Sequence, residues 1–206
     1  RLLIRSLARN ESTVAGASTT IRDVEGEGDS ITAPTVSEYL DVLDRLFLTA
    51  DQLPFDPNHR SSKRVGKSAK RHLADPSLAI AALEMTREML LRDLDTFGSM
   101  FEAMCERDLR VYAETDGGRL MHYRDADGRE IDAVVEMGDG RWGAFEVKLG
   151  TNQIDAAAES LIRCSRYFER NSASTPEFLC VVCGMSSAAY RRPDGVYVVP
   201  ITSLRN

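Results

Sequence analysis

The run REIDAVVEMGDGRWGAFEVKL, Arg129 to Leu149, narrows the possible folds of this chain more than any other stretch. It reads as two β-strands, Arg129–Met137 and Trp142–Leu149, joined by Gly138-Asp139-Gly140. A turn that short fixes the pairing register, and the period of two then decides which side chains share a face. On the second strand Phe145, Val147 and Leu149 fall on one face, and Ala144, Glu146 and Lys148 on the other. On the first strand Asp132 lies in an apolar stretch, with Glu130 and Glu136 on its face. Acids and a lysine are thereby built into strands whose neighbours are strongly apolar.

The elements around this hairpin suggest a sheet between helices. Leu120–Arg124 reads as a strand, turned at Ala126-Asp127-Gly128 into the next. Asn152–Asn171 is an amphipathic helix. Phe178–Cys183 and Val196–Val199 are two further strands, joined through Tyr190–Gly195. Upstream, a helix is expected from about Met89 to Tyr112, with a possible interruption at Gly98, and a shorter one over Leu78–Leu83. The fold class is α/β (α+β), with a mixed sheet flanked by helices. Before it, Arg1–Arg9 reads as helical and Ser18–Val24 as a short helix. A third helix opens at Pro34-Thr35, with Val36, Leu40, Leu43 and Phe47 at helical spacing, and Leu48–Leu53 reads as a strand. That order is a winged-helix pattern. The expected organisation is a winged-helix-like domain over 1–57, a basic linker and short helix over 58–84, and the sheet domain over 85–206. Arg1–Leu7 reads as helix interior without a start signal, so an upstream portion is expected.

The net charge of −6 argues against a surface that coats nucleic acid uniformly, but leaves room for a local basic groove. The candidate is HRSSKRVGKSAKR, with six Lys or Arg between Arg60 and Arg71 and no acid. It reads as a solvated loop or as a phosphate contact. The four cysteines fit no zinc frame. Cys180 and Cys183 lie three apart in FLCVVCG, a spacing that puts strand residues on opposite faces, so both are read as core. Reduced cysteines suit a cytoplasmic protein. His59, His72 and His122 are scattered without acid partners and read as structural or surface residues. No apolar run reaches the ~18 residues a membrane helix needs, so no membrane partner is expected.

Two carboxylates about 4 Å apart repel by about 4 kcal/mol at an effective dielectric of 20. A divalent cation converts that repulsion to attraction, and carboxylate oxygens favour Mg²⁺ or Mn²⁺. A neighbouring lysine can orient or deprotonate a water. Asp132 and Glu146 are therefore the candidate metal ligands and Lys148 the candidate catalytic side chain, for metal-assisted phosphodiester hydrolysis. The acid followed by Glu146-Val147-Lys148 resembles the PD-(D/E)xK nuclease superfamily. That resemblance implies a restriction-endonuclease-like fold and a further acid on the first core helix, matching Glu102 in GSMFE, with Glu106 one turn on as the alternative. KRHLADPSLA, LMHYRDADGREIDAVVE, WGAFEVKLG, RSLARN, TVSEYLDVLDRLFL and RRPDGVYVVPITSL resemble, more narrowly, one bacterial and archaeal family. There a nuclease-like domain of unestablished function follows the ATPase module and winged helix of AAA+-like proteins. The ATPase phosphate loop GxxxxGK[ST] does not occur in these 206 residues. The implied partners are nucleic acid, DNA before RNA, and an ATPase module of the same parent protein. The rival expectation is a catalytically silent regulatory module that binds nucleic acid or protein. Gln153 reads as a helix cap or a substrate contact, and Trp142 as packing.

Overall fold

The computed structural model describes residues 1–58 and 68–204. Of the basic run, residues 60–67 lie outside the described residues, as does His59. Among the described residues the chain is mixed α/β, with seven α-helices and a seven-stranded mixed sheet. No helix among them is long and apolar enough to cross a membrane.

The chain divides into two compact units, and not where the sequence suggested. The first comprises Arg1–Gln52 with Ser68–Met104, and the second the described residues of 53–58 and 105–204. The expected linker, 58–84, is thus not a spacer. Its second half folds back onto the first unit through isolated antiparallel pairs, Thr49 with Leu73 and Gln52 with Lys70. The strand expected over Leu48–Leu53 shrinks accordingly. Thr49 and Gln52 make single bridges, and only Leu53–Pro54 (β1) forms a named strand, in the sheet of the second unit. The first 57 residues therefore do supply a strand to the sheet, contrary to expectation.

In the first unit, α1 (Leu2–Arg9) packs on α2 (Ala17–Gly26) and on α4 (Pro76–Ala82), and α2 packs on α3 (Ala33–Arg45). Leu3, Leu7, Val36, Leu43, Leu73, Ala79 and Met100 make its core. Thr32 caps α3 by accepting the Thr35 N–H, and Asp75 caps α4 by accepting that of Ser77. The long helix expected from Met89 is two: α5 (Arg87–Arg92) and α6 (Leu94–Thr115). The break falls at Asp93 and not at Gly98. The Asp93 carboxylate accepts both the N–H and the hydroxyl of Thr96, at 3.1 and 2.7 Å. That is a new helix start, and Gly98 continues inside it.

In the second unit, β2 (Arg119–Arg124), β3 (Glu130–Glu136), β4 (Trp142–Lys148), β5 (Phe178–Cys183), β6 (Tyr190–Arg191) and β7 (Tyr197–Val199) join β1 in the order β1-β2-β3-β4-β5-β7-β6. β2, β3 and β4 form an antiparallel meander, whereas β4–β5 and β5–β7 are parallel. The two meander turns are chemically alike. Each sets an Asp one residue before a Gly of positive φ (Asp127-Gly128, Asp139-Gly140), the conformation that glycine adopts without strain. Strand β6 falls in the stretch expected to be a connection. It is two exposed residues, too short for alternation to signal.

α7 (Ile154–Arg170) links β4 to β5 and packs on β3, β4 and β5. Its buried residues Ile154, Ala157, Ala158, Leu161, Cys164 and Phe168 recur at helical spacing. They meet Trp142, Ala144, Val134, Val181 and Val198 from the sheet. Burying side chains the size of Leu161 and Phe168 stabilises by roughly 1.5–3 kcal/mol each. Phe55, next after β1, packs its ring 4.7 Å from that of Trp142. The Trp142 indole N–H donates to Ser174 Oγ at 2.7 Å, so packing is the role this tryptophan shows.

Candidate functional site

Strands β3 and β4 pair from Glu136–Trp142 to Ala133–Phe145, where the ladder ends. Val134 and Ala144 are partners on the face toward α7, so alternation carries Asp132, Glu146 and Lys148 to that same face. At the ladder's end the Asp132 carboxylate substitutes for strand backbone. Its Oδ2 accepts the Val147 N–H at 2.9 Å and Lys148 Nζ at 3.1 Å. Lys148 Nζ also lies 2.9 Å from Glu146 Oε2. The two carboxylates thus meet at one ammonium, with side-chain exposures of 11% for Asp132 and 7% for Glu146 against 26% for Lys148. The acids sit inside and the lysine stands at the opening.

This geometry shapes the protonation of the cluster. Burial, and then the negative charge of Asp132, push the Glu146 carboxyl up to about 8. Lys148 is also buried, which opposes its charge, but Asp132 and Glu146 outweigh that and hold its pKa above the ordinary lysine range. At neutral pH the cluster carries a proton on its carboxyl pair and an ammonium beside it. Lys148 is therefore a donor and a fixed charge, and not a base that accepts a proton from water.

Glu102 falls in the first unit, on α6, where Lys70 Nζ donates to its Oε1 at 2.5 Å. Glu106 is buried on the part of α6 that belongs to the second unit. Glu136 pairs with Arg119 at 2.7 Å. Gln153 Oε1 accepts the Gly150 N–H at 3.1 Å, a turn-closing contact ahead of α7. Cys180 and Cys183 are both buried thiols, and burial pushes the Cys180 thiol up to about 12. Among the described residues no group of three or more His, Cys, Asp or Glu is placed to hold a metal. Two carboxylates nonetheless fit a hard cation of the Mg²⁺ type, which takes one or two protein oxygens and keeps water for the rest.

Residues 97–204 match the protein family described as a domain of unknown function (DUF4143). The chain belongs to this family. The DUF4143 match contains the whole of β2 to β7 and α7, hence all three of Asp132, Glu146 and Lys148. Residues 1–89 match a second family, also described as a domain of unknown function (DUF8612). No curated protein and no solved structure matches the chain.

Sequence reasoning missed a second polar cluster, in the first unit. Glu11 Oε1 lies 3.1 Å from His72 Nδ1, and His72 Nε2 lies 3.1 Å from Gln52 Oε1. Glu11 Oε2 also accepts the Leu73 N–H at 3.2 Å. All three side chains are buried. Burial pushes the Glu11 carboxyl up to about 7. No local pattern announces the cluster, because its members lie about 20 to 60 positions apart and meet only through the long-range pairing of 49–52 with 70–73.

Proposed function

We propose that the second unit is a restriction-endonuclease-like module that hydrolyses phosphodiester bonds in nucleic acid, DNA before RNA, with Mg²⁺ or Mn²⁺ at Asp132 and Glu146. The observation that carries this reading is the convergence of two buried carboxylates and a lysine at the open end of the β3–β4 ladder. The cation, when bound, would supply Lewis-acid polarisation of the phosphate and an acidified water. Asp132 and Glu146 hold their oxygens toward one point, and the Glu146 proton must leave before both can act as ligands. Lys148, its charge held on by the two acids, orients the attacking water or steadies an anionic phosphate oxygen by donating a hydrogen bond. The Val147 N–H keeps Asp132 in place. Glu102, engaged by Lys70, is assigned no role.

The first unit is read as winged-helix-like. Three helices precede the short antiparallel pairing of 49–52 with 70–73, the order such modules have. With it goes the expectation of an AAA+-type ATPase module in the parent protein. A second reading has its own support. Lys148 already balances the carboxyl pair, so the cluster is stable without a cation and suits a module that binds nucleic acid or protein without turnover. A cleavage assay on single- and double-stranded DNA and on RNA separates the two. The nuclease reading expects cleavage that requires Mg²⁺ or Mn²⁺ and falls by at least a hundredfold in Lys148→Ala. Retained divalent-dependent cleavage in Lys148→Ala, or none by the wild-type chain on any of these substrates, rejects it.

A further inference from the structure

Helix α3 of the first unit has two apolar sides. Val36 and Leu43 are buried in the core of that unit. Tyr39, Val42 and Leu46 recur at spacings of three and four on another side, where they are 52%, 50% and 60% exposed. Phe47, directly after the helix, is 84% exposed. Tyr39 and Val42 also line an open cavity of about 660 Å³ together with Leu2, Ile4 and Ile31. The stripe and the cavity make one apolar groove.

The exposure of Phe47 is not a by-product of packing. Its φ is +56°, in the left-handed region. The end of α3 is closed by two hydrogen bonds, in which the Phe47 N–H donates to the Asp44 carbonyl and the Leu48 N–H to that of Leu43, both at 2.9 Å. This closure puts the residue after the cap into left-handed backbone, a conformation that glycine adopts without strain. The apolar contact that goes with it falls to Leu48, which packs on the same core as Leu43. The turn therefore needs no ring at position 47. A bulky side chain kept in strained backbone and left in solvent beside an apolar groove marks a contact surface.

We propose that this face docks an amphipathic helix of a partner protein, one that carries Lys or Arg along the borders of its apolar stripe. Charge selects that occupant. Residues 23–44 hold seven acids and no Lys or Arg. Glu38, Asp41 and Asp44 are exposed on α3, and Asp29 lines the cavity. Arg1 lines it too, but its guanidinium is bonded to Glu84 at 2.6 Å. Basic borders on the partner pair with such a rim, while its apolar residues three and four apart enter the groove. The same acids repel phosphate, so α3 does not read DNA, although it is the third helix of a winged-helix order. An anionic membrane surface is repelled likewise, and a second copy would bring like charges face to face. The proposal does not depend on the chemistry of Asp132, Glu146 and Lys148, because every residue it uses belongs to the first unit.

The probe is a synthetic amphipathic helix about five turns long, with leucine on one face and lysine on the others. It is titrated against the intact chain by fluorescence anisotropy and by amide NMR. The expected result is saturable binding, with shift changes centred on Tyr39, Val42, Leu46 and Phe47. A scrambled peptide of the same composition should bind at least tenfold more weakly. Phe47→Gly removes the ring without changing charge and relieves the backbone. It should weaken binding at least tenfold, while its melting temperature stays within about 5 °C of wild type or rises above it. Absence of saturable binding, a shift map centred elsewhere, or a scrambled peptide that binds within tenfold overturns the proposal. So does a Phe47→Gly variant that binds within tenfold of wild type, or one whose melting temperature falls further, since the ring would then serve the fold. Self-association of the free chain, or binding of duplex DNA, that Phe47→Gly abolishes would put a different occupant on this face and also overturn it.

Discussion

Replacing Glu146 by Gln tests the electrostatics of the β3–β4 site most directly. In the folded chain the Glu146 carboxyl titrates near 8, against an ordinary 4.5 when exposed. The folded state therefore holds a proton that the unfolded state has lost. Stability attributable to this group is complete below about 4.5 and declines as pH rises, reaching its lowest level once pH passes about 8. The full difference corresponds to about 5 kcal/mol as a ceiling. Relaxation around Lys148 and Asp132 reduces it, so about 2–4 kcal/mol is the working expectation. Gln keeps an oxygen for Lys148 and offers an N–H to Asp132, imitating the protonated acid without titrating. Glu146→Gln should thus match wild type at pH 4.5 and exceed it at pH 8.5. With roughly 2–4 °C per kcal/mol for a chain of this size, the gap in melting temperature should be on the order of 10 °C. The assay is thermal unfolding followed by circular dichroism from pH 4.5 to 9, without divalent ions. A variant less stable than wild type at pH 8.5, or a difference that does not change with pH, would show that the buried pair is held ionised, and the reasoning would fail.

Two further outcomes are expected. Glu11 has a carboxyl raised by burial to about 7, so the first unit should lose stability between about pH 4.5 and 7 and then level off, and Glu11→Gln should flatten that slope, by at most about 3 kcal/mol. Hydrogen exchange of amides in α1 and α4 reads this unit separately from the other. Gly143→Ala should destabilise the second unit by about 1–3 kcal/mol, because the Phe178 ring lies 2.4 Å from where the new Cβ would stand. Denaturant unfolding measures it, and the double variant with Phe178→Ala should recover part of the loss.

Local pattern sets the β3–β4 hairpin and the shared face of Asp132, Glu146 and Lys148. Strand alternation and a Gly-Asp-Gly turn are properties of near neighbours, so the register follows from about twenty residues read in order. The helix over Ile154–Arg170 was legible for the same reason, its apolar spacing being local. Long-range packing supplied the rest. It assigned Leu53–Pro54 to the sheet edge and drew Lys70 and His72 into the first unit, because pairing between distant segments leaves no periodic trace in either. It ended the ladder at Asp132, so that a side chain accepts the Val147 N–H. It also set the charge of the cluster. A Glu and a Lys two positions apart on a strand are an ordinary exposed pair until a packed helix excludes water, and it is that exclusion which keeps the proton on the carboxyl pair and the charge on Lys148.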